Sequence, residues 1–119
     1  RHEDAYTYFV QSARMDLDDY HDNFYAGIHA ANMAGTWQSI VFGFAGLRLV
    51  NGVPEFKFYI PEAWNGYHFT VKIKESVLAV DVLPDGWTIT LQSGDAVNFL
   101  VKGKPYELTE KGATCHEAL

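Results

Sequence analysis

Hydrophobic residues change their period midway along the chain, and that switch limits its possible folds more than any other feature. From Tyr67 onward the spacing is two: Tyr67, Phe69, Val71 and Ile73 alternate with His68, Thr70, Lys72 and Lys74. Leu78, Val80 and Val82 repeat the pattern, as do Trp87, Ile89 and Leu91, then Val97, Phe99 and Val101. Successive side chains of a strand point to opposite faces, so each run reads as a strand with one face in a core. Turn-forming groups separate the runs: Asn51-Gly52, Asn65-Gly66, Pro84-Asp85-Gly86, Ser93-Gly94-Asp95 and Lys102-Gly103-Lys104. The links are too short for crossover helices, so the expectation is an antiparallel sandwich.

The first half has helical spacing. Tyr6, Phe9, Val10, Ala13 and Leu17 fall at i, i+3, i+4, i+7 and i+11, which predicts one amphipathic helix. A polar link around Asp18 to Asn23 follows, and a second helix is expected from Gly27 to about Phe42. Its apolar positions, among them Ile28, Met33, Trp37, Ile40 and Val41, leave no charged face. Such a helix belongs inside a larger body, so further neighbours are expected in sequence beyond this chain.

That uncharged stretch, Asn23 to Leu47, also invites a membrane reading. His29, Asn32, Thr36, Gln38 and Ser39 and the interrupting glycines argue against it. No signal peptide is read at the amino end. The net charge of −6 and the lack of any Lys/Arg run exclude a phosphate-backbone binder and an anionic membrane surface. A single cysteine, Cys115, rules out an internal disulfide and fits a reducing, cytoplasmic setting; it reads as an idle thiol in a tail.

The residue with most chemical potential is His29, in the expected first turn of the second helix, just after Gly27. A helix start offers unpaired N–H groups and the positive end of the macrodipole, and an imidazole adds another donor for an anion. Alone, such a histidine more often serves as a hydrogen-bonded core residue. The acidic stretch Asp16 to Asp22 fits a calcium loop poorly, with His21 where glycine is required. The five histidines have no metal-ligand spacing, and no metal is expected. Trp64, Tyr67 and Trp87 could stack on sugars but fit core or interface positions better.

Met15-Asp16-Leu17-Asp18-Asp19, Asn23 and the block Gly27-Ile28-His29-Ala30-Ala31-Asn32-Met33-Ala34-Gly35-Thr36-Trp37 resemble the end of the catalytic domain of glycoside hydrolase family 65. Pro61-Glu62-Ala63-Trp64-Asn65-Gly66-Tyr67-His68-Phe69 resembles the entry to that family's small carboxy-terminal domain. The family contains maltose, trehalose, kojibiose and nigerose phosphorylases. The resemblance implies an α+β chain: residues 1–46 as the last helices of an (α/α)6 barrel, 47–110 as an antiparallel jelly-roll-like β-sandwich, and 111–119 as a tail.

It further implies inverting phosphorolysis of an α-glucosyl disaccharide to β-glucose 1-phosphate and a free sugar. Inorganic phosphate is the co-substrate, no cofactor is needed, and the rest of the barrel is the partner, with a homodimer allowed. His29 takes the phosphate-binding role, with Gly27 leaving backbone space beside it. The family's general-acid glutamate lies upstream, so no catalytic residue is expected here and the chain alone should be inactive. Ala34-Gly35 departs from the Gly-Gly of many members. The competing expectations are a family hydrolase such as an acid trehalase, and a noncatalytic carbohydrate-binding or structural β domain.

Overall fold

The computed structural model describes residues 8–17, 39–62 and 64–119, with side chains from Ile40 onward. The described strands are β1 (Tyr8–Leu17), β2 (Arg48–Val50), β3 (Val53–Phe56), β4 (Trp64–Ile73), β5 (Ser76–Leu83), β6 (Gly86–Ser93), β7 (Val97–Val101), β8 (Lys104–Leu108) and β9 (Thr114–Glu117). A π-helical turn, Ser39–Phe44, precedes β2. One sheet has the order β1-β4-β5-β6-β9 and the other β2-β3-β7-β8.

The alternation seen in the sequence maps directly onto burial. Tyr67, Phe69, Val71, Ile73, Leu78, Val80, Val82, Trp87, Ile89 and Leu91 face inward from the larger sheet; Phe56, Phe99, Val101 and Leu108 face them from the smaller. Phe99 is fully buried and joins the two sheets. Its ring stacks on Tyr106 at 5.4 Å and meets Phe56 and Trp87 edge-on at 6.1 and 6.2 Å. Tilted and edge-to-face ring pairs of this kind add to the stabilisation from area burial alone.

Turn chemistry is met at two hairpins. Asn51 and Gly52 take φ values of 54° and 82° between β2 and β3, and Lys102 and Gly103 take 51° and 84° between β7 and β8. Positive φ at both loop positions matches the right-handed twist of the flanking strands. Asn65-Gly66, expected as a turn, instead lies inside β4. There the ladder to β1 runs from Asp16↔Gly66 to Leu17↔Trp64 and skips Asn65. Glycine suits such a bulge as well as it suits a turn.

Other expectations are corrected. Tyr8–Leu17, expected in a helix, is a strand paired antiparallel with β4. The segment fits both periods: Phe9, Ala13, Met15 and Leu17 also fall on alternate positions, and the edge of β4 offers a long ladder of hydrogen bonds. The helix expected over Gly27–Phe42 lies mostly outside the described residues, which begin again with the turn at Ser39. The sandwich is not wholly antiparallel, because β3 and β7 pair parallel through Glu55↔Leu100 and Phe56↔Val101. All of β4, β5 and β6 intervene, so no hairpin dictates direction there. β4-β5-β6 form a meander of consecutive hairpins, and the interleaved order of a jelly roll is not formed among the described residues. Thr114–Glu117, assigned to a tail, extends the larger sheet by pairing with β6.

Truncating Phe99 to alanine should cost about 3–5 kcal/mol, since the surrounding rings cannot collapse into the space. Asn98→Ala, an exposed neighbour on the same strand, should stay within about 0.5 kcal/mol. Urea unfolding of both variants checks the contrast.

Candidate functional site

His29 and Gly27 lie outside the described residues. What is described is how the chain leading from them enters the sandwich. Ile40, Val41 and Ala45 are fully buried in the same core as the strands. The chain leaves the π-helical turn through Ala45 N–H to Ile40 C=O at 2.8 Å and Leu47 N–H to Val41 C=O at 3.0 Å. It is then stitched to the segment after β3 by Lys57 N–H to Ala45 C=O at 2.9 Å and Tyr59 N–H to Phe44 C=O at 2.7 Å. Gly46, at φ 63°, makes the bend possible; a Cβ there would come within 3.0 Å of the Lys57 carbonyl oxygen.

The side chain of Tyr67 pins this junction from β4. Its hydroxyl donates to the Phe44 carbonyl at 2.9 Å, so that one oxygen accepts from both Tyr59 and Tyr67. Burial pushes the Tyr67 phenol well above the ordinary tyrosine range, partly offset by a backbone N–H bond from Tyr59. The ring of Phe44 packs edge-on against Trp64 at 4.7 Å and lies 6.3 and 6.4 Å from Tyr59 and Tyr67. Tyr59 is 59% exposed, so its side of this aromatic group reaches the surface.

These positions decide the sugar-stacking question. Trp87 and Tyr67 are core residues, each 3% exposed, and Trp64 is half-buried against Phe44. Tyr67 and Trp87 therefore offer no free ring face for a sugar, and Trp64 is held at its edge by Phe44 and Tyr67. A cleft of about 200 Å³ does open beside Trp87 and Tyr106, with Lys104 and Glu117 at its rim. Its polar groups satisfy each other: Lys104 Nζ lies 3.2 Å from Glu117 Oε2 and 5.4 Å from the centre of the Tyr106 ring.

No described carboxylate is arranged for glycosidic chemistry. Glu55 is buried and held by Arg48, whose Nε and Nη2 both donate to Oε1 at 3.4 and 3.3 Å, which ties β2 to β3. Among the described residues no group of three or more His, Cys, Asp or Glu could hold a metal ion. His68 and His116 stand on different strands, β4 and β9; His116 Nδ1 lies 3.0 Å from both Thr88 Oγ1 and the Trp87 carbonyl. Cys115 sits on β9 in place of the expected tail, and burial pushes its thiol up, away from nucleophilic chemistry.

The sequence reading missed the junction itself. Its signal is the uncharged run through Ile40, Val41, Phe44 and Ala45, which continues past the end of the expected helix at about Phe42. The geometry of the described junction is one that positions and anchors the entering chain.

Tyr67→Phe should cost about 1 kcal/mol through the lost hydrogen bond, with packing intact. Because the folded phenol resists ionisation, stability is fully present below the ordinary tyrosine value of about 10 and falls as pH rises above it. Denaturation curves at rising pH should show a shallower alkaline decline for Tyr67→Phe; identical declines would place the effect elsewhere.

Residues 47–108 match the family described as glycosyl hydrolase family 65, C-terminal domain. The α,α-trehalose phosphorylase of Thermoanaerobacter brockii is 41% identical over 108 residues, covering 91% of this chain and 14% of that protein. That of Geobacillus stearothermophilus is 39% identical over 106 residues, covering 89% and 14%. A solved structure described as "Putative kojibiose phosphorylase from human microbiome" superposes with a TM-score of 0.66 at 32% identity, covering 86% of this chain and 14% of that one. The chain thus spans about one seventh of the length of the curated relatives it matches.

Proposed function

Since the chain belongs to glycosyl hydrolase family 65, whose carboxy-terminal domain it contains, we propose that it is the carboxy-terminal part of an inverting disaccharide phosphorylase. The parent would transfer glucose from an α-linked disaccharide to inorganic phosphate, giving β-glucose 1-phosphate and a free sugar. The observation that carries this reading is the similarity of most of the chain to trehalose and kojibiose phosphorylases. Residues 1–46 would belong to the end of an (α/α)6 barrel, with the helix expected over Gly27–Phe42 inside it. The apolar side of the junction around Phe42, Phe44 and Tyr59 would continue that contact toward the rest of the parent. The same reading keeps the parent cytoplasmic and leaves room for a homodimer.

In this scheme His29 is a phosphate ligand and Gly27 keeps backbone space open beside it. Phosphate is already an anionic nucleophile, so the protein need not activate water with a second carboxylate, as inverting hydrolases do. It must hold the anion in line and offset its charge. An imidazole at a helix start, beside unpaired N–H groups, suits that task. The acid that protonates the leaving oxygen would come from the parent's other residues. The sandwich supplies anchorage: the Phe44, Ala45 and Gly46 segment ties the chain that follows His29 to a rigid double sheet.

A family hydrolase such as an acid trehalase is the competing reading, and the named relatives favour the phosphorylase. The noncatalytic sugar-binding reading loses its support with Trp87 buried and Trp64 packed against Phe44.

Turnover of maltose, trehalose, kojibiose and nigerose by the full-length parent, with and without phosphate, tests the proposal. One disaccharide should be cleaved only when phosphate is present. His29→Ala should raise the KM for phosphate about 10- to 100-fold, the loss of a charge-assisted hydrogen bond. Phosphate-independent release of glucose would favour the hydrolase, and an unchanged phosphate KM would remove His29 from the site.

A further inference from the structure

The chain carries the same dipeptide twice, Asn51-Gly52 and Asn65-Gly66, in opposite structural settings. We propose that Asn51-Gly52 is a site of spontaneous deamidation and that the fold protects Asn65-Gly66 from the same reaction. In the reaction, the Gly backbone nitrogen loses its proton and attacks the Asn side-chain carbonyl carbon. The new C–N bond closes a five-membered succinimide while the carboxamide C–N bond breaks, and the nitrogen leaves as ammonia. Water then opens the ring at either carbonyl, giving aspartate or isoaspartate. No oxidant, metal or enzyme is needed; water is the co-reactant and one negative charge is gained.

Three observations favour reaction at Asn51. Both turn residues are exposed, and an added Cβ on Gly52 would meet nothing within 4 Å, so the attacking nitrogen is sterically open. In a two-residue hairpin loop the second residue's nitrogen lies outside the strand ladder. The hairpin is also weakly held. β2 has only three residues and lies at the edge of its sheet, with a neighbour on one side alone. Local opening at such an edge needs little of the global unfolding free energy, and it lets the turn reach the geometry that cyclisation requires.

Asn65 is also exposed, but the nitrogen that would attack it, on Gly66, is not free. Gly66 is buried within β4, which has β1 on one side and β5 on the other. It lies so close to β5 that a Cβ would come within 2.5 Å of the Val82 carbonyl oxygen and 3.0 Å of the Leu83 side chain. Swinging the Gly66 nitrogen toward the Asn65 side chain would break that packing.

The test is peptide mapping by mass spectrometry, with isoaspartate detection, of the purified full-length protein held in mildly alkaline buffer, folded and in urea. In the folded protein, conversion at Asn51 should run at least about tenfold ahead of Asn65, and the two rates should converge in urea, where local structure no longer protects either. Equal rates in the folded protein, faster loss at Asn65, or an intact Asn51 would overturn the proposal. So would an Asn51 preference that persists undiminished in urea, because flanking sequence would then explain it.

Discussion

The two inner faces of the sandwich must fill one space between them, and Phe99 is where that requirement is met. Its ring touches Phe56 within its own sheet and Trp87 from the sheet opposite. Trp87 in turn lies 5.7 Å from Phe58, and Phe56 lies 6.5 Å from Phe69. Rings with fixed geometry set the spacing of the sheets more sharply than branched aliphatic residues do. The rest of the inner surface, Val71, Leu78, Val80, Ile89 and Leu91, packs around a gap whose width the rings have already determined. Displacing that cluster would loosen the pairing of the sheets before it disturbed any one hairpin.

The segment before β2 shares in this core. Ile40, Val41 and Ala45 are as fully buried as any strand residue, so the boundary between the entering chain and the sandwich is not a free linker. Linkers that let neighbouring bodies move are exposed and rich in small or polar residues. Here the carbonyl of Phe44 accepts two hydrogen bonds and Gly46 packs against Lys57. Residues 40–46 are therefore part of the β domain's own packed structure.

Much of the sandwich was legible in the residues. Period-two runs identified β4, β5, β6 and β7 and the inward side of each, because a strand with one wet face leaves no other pattern. Asn51-Gly52 and Lys102-Gly103 marked real hairpins, since glycine, and asparagine at the first, take the positive φ such loops require. The parallel β3–β7 contact could not be read, because two short strands distant in sequence carry no local sign of their direction. β1 was misread because Phe9, Ala13 and Leu17 satisfy helical and strand spacing at once, and only a partner can decide between them. Of the candidate site, His29 and Gly27 fall outside the described residues. The aromatic junction lay hidden in an uncharged run whose hydrophobicity could have served either element.

The β3–β7 pairing has a kinetic corollary. β4, β5 and β6 are joined by tight turns and can associate while the chain is still largely open. Glu55 meets Leu100 only when the stretch between them, which holds the whole meander, closes back on itself. Contacts between residues distant in sequence carry a loop-closure cost that must be met before they return any energy. Within the smaller sheet the hairpins β2-β3 and β7-β8 can form locally, and their union through β3 and β7 waits on that longer closure.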